Sequence, residues 1–328
     1  MTLPALLKNL RLPLIGAPLF IISRPELVIA QCKAGIVGTF PALNAREKDG
    51  ESLEAWITHI KEELDRHNQA NPDTPAAPFG INQIVHKSNA RLERDVEIAA
   101  RLEVPLWITS LGARTDVYEA AHSGNGIVLH DVINNWFANK AISKGADGLV
   151  AVAAGAGGHA GSLSPLALIQ EIRAWFDGPL YLSGAIARGD SILAALAMGA
   201  DGGYAGSAFI ATQEAHAVAK YKQMIADSSA DDIVYSNLFT GVHGNYLKPS
   251  IAAAGLDPEN LEHSDPTKMN FSEDRQKPKS WKEIWGSGQG IGAIDHVMTT
   301  AEMVDMLSQQ FAAAKARLAV EMAQYGNQ

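Results

Sequence analysis

The feature that most limits what this chain can fold into is an alternation. Short β-rich runs at 12–17, 35–40, 79–83, 106–110, 127–130, 148–152, 180–183 and 203–205 are separated by longer stretches with helical spacing. Strands alternating with helices predict parallel β/α units. Several runs lack polar alternation, as in Gly148-Leu149-Val150-Ala151-Val152, which suits strands covered on both faces. Between them, 52–66 puts Leu53, Trp56, Ile57 and Ile60 on one helical face, and 165–175 does so with Leu166, Ile169 and Ile172. Eight such units close most simply into an α/β fold of the (β/α)8 or TIM barrel type, which commonly takes about 250 residues as one domain.

The remainder reads as elaboration on that barrel. Residues 1–226 are expected to form it, 227–296 an inserted lid or substrate segment, and 297–328 a C-terminal helix packed on the barrel. The inserted segment is rich in Asp, Ser, Pro, Lys and Gly and has Trp281 and Trp285 near its end. A structureless loop that long is uncommon, so it is expected to carry helices of its own and fold over one barrel end. Thr299 and Glu302 stand at capping-box spacing and open an apolar run through Met303, Met306, Leu307 and Phe311. Gly-Ala-Asp-Gly occurs at 145–148 and again at 199–202, each time between a predicted helix and a predicted strand. Its first glycine can supply the left-handed cap that ends a helix.

Composition narrows the partners. The formal charge is −9, and no long basic run offers a site for a phosphate backbone, so nucleic acid is not expected. Cys32 is the only cysteine, which excludes an intrachain disulfide and a cysteine-based metal cluster and fits a reducing compartment. No metal is expected. The apolar stretch 12–22 is interrupted by Pro13, Gly16 and Pro18, and no stretch reaches the ~20 apolar residues of a membrane span. A cytoplasmic protein without a membrane partner is expected.

In a (β/α)8 barrel the active site lies at the C-terminal strand ends, and a phosphate site often forms after the last two strands. Here the seventh run ends in Ser183-Gly184-Ala185 and the eighth in Ala205-Gly206-Ser207. Small residues at both places let backbone amides approach an anion, so the pair favours a phosphate-bearing ligand. After the sixth run comes Ala153-Ala154-Gly155-Ala156-Gly157-Gly158-His159-Ala160-Gly161. So much backbone freedom is costly to order, which implies a loop pressed against something. His159 within it is the candidate acid/base residue, since imidazole titrates near neutrality. His59, His67, His122 and His263 read as surface histidines.

The ordered set Gly16-Ala17-Pro18-Leu19, Phe79-Gly80-Ile81-Asn82, Gly157-Gly158-His159-Ala160-Gly161, Ser183-Gly184-Ala185-Ile186 and Gly206-Ser207-Ala208-Phe209 resembles the successive motifs of the nitronate monooxygenases, formerly 2-nitropropane dioxygenases. The resemblance implies an FMN-dependent oxidoreductase. It implies that Ala17, Pro18 and Leu19 run beside the isoalloxazine ring, that Asn82 hydrogen-bonds it, and that Gly157 and Gly158 pass close to the cofactor. Gly184, Ala185, Gly206 and Ser207 would cradle the phosphate, and Ser183 and Ala205, which precede these turns, are further cofactor-binding candidates. His159 matches the family's active-site histidine, which meets an anionic or acidic substrate over the flavin. Trp285-Gly286-Ser287-Gly288-Gln289-Gly290 resembles the segment that closes the pocket, which makes Trp285 and Gln289 substrate-side candidates. His130, ending the fifth run, is either a flavin neighbour or a structural histidine. The chain also departs from the family pattern: Val152 stands where a cofactor-contacting glutamine is common, Gly155 where an acidic residue is common, and Ala185 and Ser207 replace a glycine and a threonine.

The function so implied is oxidation of an alkyl nitronate with O2 to a carbonyl compound and nitrite. The alternative on the same scaffold is an NAD(P)H-dependent FMN reductase of quinones or enoyl thioesters; absence of a Gly-x-Gly-x-x-Gly turn counts little against it. A non-enzymatic barrel binding a phosphorylated metabolite is the remaining class, because fold alone does not fix function.

Overall fold

The computed structural model describes residues 3–46, 50, 52–263 and 283–325. Its strands are β1 (Leu14–Gly16), β2 (Gly38–Pro41), β3 (Phe79–Ile84), β4 (Leu106–Ser110), β5 (Ile127–Val132), β6 (Gly148–Val152), β7 (Gly158–His159), β8 (Leu180–Ser183) and β9 (Gly202–Ala205), followed by β10 (Ile233–Ser236) and β11 (Gly244–Leu247). Eight of them pair in parallel in the order β1-β9-β8-β6-β5-β4-β3-β2. A parallel bridge from Ile15 to Val37 joins β1 to β2 and closes the ring. The fold is a TIM barrel with a lid-like insertion near its C-terminus.

Side chains alternate across the barrel wall, as the two-residue period of a strand requires. Ile15, Val37, Leu106, Ile108, Leu129, Val150, Tyr181 and Tyr204 cluster inside, joined by Leu6, Leu7 and Leu10 from the N-terminal segment. Their strand neighbours Leu14, Phe40, Ile81, Trp107, Val128, Leu149, Ala151 and Leu182 face outward into a second core shared with the helices. Cys32 sits in that outer core, where burial pushes its thiol up to about 12 and removes it from thiolate chemistry.

The helices follow the sequence spacing with one correction. Helix Leu53–Ala70 buries Leu53, Trp56, Ile57, Ile60 and Leu64, and the Ser52 side chain caps it by accepting from Ala55 N. Helix Pro165–Arg173 buries Leu168, Ile169 and Ile172, whereas Leu166, expected on the same face, is 56% exposed. The inward stripe starts two residues later, at Leu168.

The repeated Gly-Ala-Asp-Gly does the same work twice. Gly145 and Gly199 both adopt φ of 104°, the left-handed conformation that ends the preceding helix. Asp147 Oδ2 then accepts from Val128 N at 2.7 Å and Asp201 Oδ2 from Leu180 N at 2.8 Å, so each aspartate ties down the start of a neighbouring strand.

The terminal helix Thr300–Ala323 carries the expected capping box between Thr299 and Glu302 and buries Met303, Val304 and Leu307. It crosses close over helix Gly189–Ala197: a Cβ on Gly189 would fall 2.2 Å from Leu307 O. Within 227–296, β10 and β11 form an antiparallel hairpin, and β11 adds β7 at its other edge through Gly244–His159 and Asn245–Gly158 pairs. This small sheet was not foreseen in a segment expected to be helical. Residues 264–282, including Trp281, lie outside the described residues.

Candidate active site

The mouth of the barrel has two unlike sides. On one, the turns after β6, β8 and β9 and the segment 286–290 meet chiefly through backbone atoms. Gly155 O accepts from both Ala185 N, at 3.2 Å, and Gln289 N, at 2.9 Å. Gly288 N donates to Ser207 Oγ at 2.8 Å. A Cβ on Gly157 would lie 2.8 Å from Gly288 N, and one on Gly288 would lie 2.6 Å from Gly155 O, so these approaches require glycine. Gly184, with φ of 147°, and Ala185, with φ of 54°, hold the β8 turn in conformations that side chains resist.

The residues singled out at the β1 exit and the β9 turn face each other. A Cβ on Gly206 would meet Leu19 Cδ2 at 3.2 Å and Ala17 Cβ at 3.5 Å. Ala17 N donates to Ala205 O at 2.8 Å, so these two turns are stitched together. Pro18 follows on the exit loop and Ser183 ends β8, 9% exposed. Helix Ser207–Ile210 begins directly at the β9 turn, with Phe209 N donating back to Gly206 O at 2.9 Å, and the start of a helix is where backbone amides are available to an anion. Ala185 N is already committed to Gly155 O. The phosphate expectation therefore rests more on the β9 turn and Gly184 than on the amide of Ala185.

His159 lies in β7, pinned between the Gly-rich loop and the lid hairpin. Its Nε2 is 3.0 Å from Thr240 Oγ1, whose own proton is directed at Val242 O. The direction of the hydrogen bond between Nε2 and the Thr240 hydroxyl follows the ring tautomer. The residue keeps some surface, yet desolvation by burial pulls the imidazole down to about 4. The lid is clasped to the same loop by Asn245 Nδ2 donating to Ala156 O at 2.6 Å and Tyr235 Oη donating to Ala160 O at 2.9 Å. Gln289 is exposed beside Gly155, its Oε1 3.1 Å from where a Cβ on that glycine would be.

Two expectations are corrected. His130 faces out of the barrel, since its strand neighbour Leu129 packs in the inner cluster. Its Nδ1 lies 2.7 Å from Thr109 Oγ1 and 3.0 Å from Tyr118 Oη, and burial draws it down to about 4. It is the structural histidine of the two readings. Trp285 is buried with its ring stacked on Tyr221, centroids 4.8 Å apart and 10° from parallel, so the indole is committed to the core.

The opposite side of the mouth, at β3, β4 and β5, is built from side chains. Asn82 Nδ2 donates to Ile108 O at 3.2 Å and to Ser110 Oγ at 2.8 Å, and Ser110 Oγ donates to Asp131 Oδ2 at 2.6 Å. Only Asn82 of this trio stood out in the sequence. Ser110 ends a predicted strand and Asp131 directly follows one, but neither belongs to a motif, so nothing short of strand register links them. Among the described residues no group of three or more His, Cys, Asp or Glu could hold a metal, and no helix is long and apolar enough to cross a membrane.

A TIM barrel whose C-terminal mouth gathers glycine turns, a hydroxyl at a helix start and a desolvated histidine has the layout of a small-molecule site. The family model for nitronate monooxygenase matches residues 5–310, and the chain belongs to that family of flavoenzymes. It is 23% identical to the nitronate monooxygenase of Neurospora crassa over 90% of this chain and 88% of that protein. It is 27% identical to a Mycobacterium tuberculosis relative over 66% of this chain, and the match spans only 61% of that protein's length. Among solved structures, FabK from Thermotoga maritima superposes with a TM-score of 0.75 at 20% identity, covering 96% of this chain and 97% of that one. Nitroalkane oxidase from Streptomyces ansochromogenes gives 0.74 at 20%, covering 96% and 100%. Likeness at that level establishes the fold.

Proposed function

We propose that the protein binds FMN across this mouth and oxidises alkyl nitronates with O2 to carbonyl compounds and nitrite, with His159 facing the substrate. The observation that carries the reading is convergence: the turns after β6, β8 and β9 and the segment 286–290 close on one another around the strand that holds His159. Gly206, faced by Ala17 and Leu19, carries no side chain that would stand between the backbone of the β9 turn and a phosphate, which fits a phosphate-bearing ligand. Gly157, Gly158, Gly184, Gly206, Ser183 and Ser207 would hold the phosphate end, and Ala17, Pro18, Leu19 and Asn82 the ring. The flavin supplies the redox chemistry when bound, and the chain supplies positioning and electrostatics.

His159 then acts as a neutral imidazole. An anionic nitronate beside it favours the protonated ring, so substrate binding and proton uptake reinforce each other. The β7–β11 sheet fixes the ring, and the lid keeps it out of bulk water. A neutral imidazole can also accept a nitroalkane carbon proton, which makes the two substrate forms a test of its role.

The experiment is anaerobic mixing of the FMN-loaded protein with an alkyl nitronate, its parent nitroalkane, NADH and NADPH in separate arms, following flavin absorbance. Reduction by the nitronate is the expected result. Reduction by a nicotinamide alone would replace this reading with the reductase one, and failure of the protein to bind FMN would remove both.

A further inference from the structure

The polar side of the mouth contains a carboxyl group to which neither the glycine turns nor His159 gives a purpose. Asp131 follows Leu129 by two residues and so points to the inner face, at the C-terminal end of β5. Hydrogen-bond direction along its trio runs one way. Asn82 spends both amide hydrogens, on Ile108 O and Ser110 Oγ, so the atom it offers the mouth is the acceptor Oδ1. Ser110 spends its proton on Asp131 Oδ2. Asp131 Oδ1 is buried and has no partner among the described residues.

An ionised carboxylate offers about four acceptor sites, and here one donor reaches it. Burying the remaining charge is expensive, whereas a proton on Oδ1 removes the charge and turns that atom into a donor. Among the described residues the surroundings offer no cation. β4 presents Ser110, β6 presents Val150 and Val152, and β9 presents Tyr204, a phenol that the Asp131 charge disfavours ionising. His130 points to the outer side, and Lys140 acts on that side. The strand order puts β3 and β4 across the ring from β8 and β9, so a ligand anchored by phosphate at the latter reaches toward this trio.

On the reading that FMN binds here, we propose that Asp131 is a flavin-contacting residue, protonated at Oδ1 and donating a hydrogen bond to the pyrimidine edge of the ring while Asn82 Oδ1 accepts from the ring N–H. A donor beside an acceptor matches an edge on which carbonyl oxygens flank an N–H; two acceptors would not. Burial pushes the Asp131 carboxyl up to about 7, opposed only by the Ser110 hydrogen bond. Flavin affinity therefore depends on a proton that is lost as pH rises through neutrality.

The test titrates apo-protein with FMN by fluorescence quenching from about pH 5 to about pH 9, spanning the carboxyl and imidazole ranges. Wild type is compared with Asp131→Asn, which keeps a donor that cannot titrate, and with Ser110→Ala. The FMN phosphate loses its second proton near ~6, but that contribution is common to all three proteins. Relative to Asp131→Asn, wild type is expected to lose roughly tenfold in affinity for each pH unit above the Asp131 midpoint. Ser110→Ala removes the one group that lowers that midpoint and should move it to higher pH. Superimposable profiles for wild type and Asp131→Asn, or an unmoved midpoint in Ser110→Ala, overturn the assignment and leave the flavin reading intact. No FMN binding by wild type at any pH overturns both. Should Asp131→Asn not fold, the Ser110→Ala midpoint decides alone.

Discussion

The two sides of the barrel mouth are made from different materials. At β6, β8 and β9 the contacts are mostly backbone to backbone, as in Gly155 O with Ala185 N and Gln289 N, and the side chains matter chiefly by being small. At β3, β4 and β5 the contacts run between side chains, from Asn82 through Ser110 to Asp131. A backbone site tolerates changes that stay small and fails when a Cβ intrudes. A side-chain site can lose one polar atom and change its pH behaviour without changing shape.

His159 stands on the glycine-rich loop where the lid hairpin pairs with it, and its loss should have the largest effect. His159→Asn is expected to slow flavin reduction by substrate by ~10²-fold or more, the usual scale for a positioned acid/base group, while FMN stays bound. A variant that keeps its flavin and reduces it at the wild-type rate with nitronate, nitroalkane and both nicotinamides makes His159 a bystander.

The glycine side can be broken in two distinguishable ways. Gly184 has φ of 147° and a Cβ there would sit 2.8 Å from Ala154 O, so Gly184→Val should cost apo stability as well as flavin, with strain of about 1–3 kcal/mol. Gly206 has φ of −108°, and its nearest neighbour is the flexible end of Leu19. Gly206→Val should therefore weaken FMN binding tenfold or more, a loss of ~1.4 kcal/mol, with a much smaller change in apo melting temperature. Equal losses of stability in both variants would mean that the β9 turn is small for packing reasons alone.

Asn245 joins the lid to the glycine side. Asn245→Ala leaves the buried Ala156 carbonyl without its donor, which costs about 1–3 kcal/mol. Hydrogen exchange should quicken in β7 and β11 ahead of the barrel strands. Uniform quickening would show that the small sheet is no separate unit.

The smallest effects come from pH, and their signs differ between groups. His130 and His159 are held down to about 4, so the folded protein binds fewer protons than the unfolded one between that value and the ordinary histidine range. Stability is expected to fall as pH drops through that window. Asp131 is raised to about 7, so the folded protein binds more protons between the ordinary carboxyl range and neutrality, and stability falls as pH rises through it. Apo wild type should lose melting temperature relative to Asp131→Asn as pH rises from about 4 to about 7, by a few °C in all. Identical melting of the two at both pH values would place Asp131 in water.

Much of the molecule was legible from pattern alone. The runs 106–110, 148–152 and 180–183 became strands with those bounds, and Thr299 with Glu302 opened the terminal helix as their spacing requires. The phase of helix Pro165–Arg173 and the β10–β11 hairpin were not legible. Apolar residues on neighbouring positions fit more than one helical face, and a four-residue strand such as Gly244–Leu247 is recognisable only beside its partners.

What the sequence determined by itself was local: strand and helix periods, caps, and clusters of glycine where a turn must let backbone approach. Each is set by interactions within a few residues, so each leaves a mark in a short window. What only the tertiary structure decided was facing. Asn82 and Ser110 are separated by 28 positions, and Ser110 and Asp131 by 21. Strand register alone brings them into one hydrogen-bonded line, and it turns His130 outward while turning Asp131 in, because adjacent strand residues point to opposite sides of the wall.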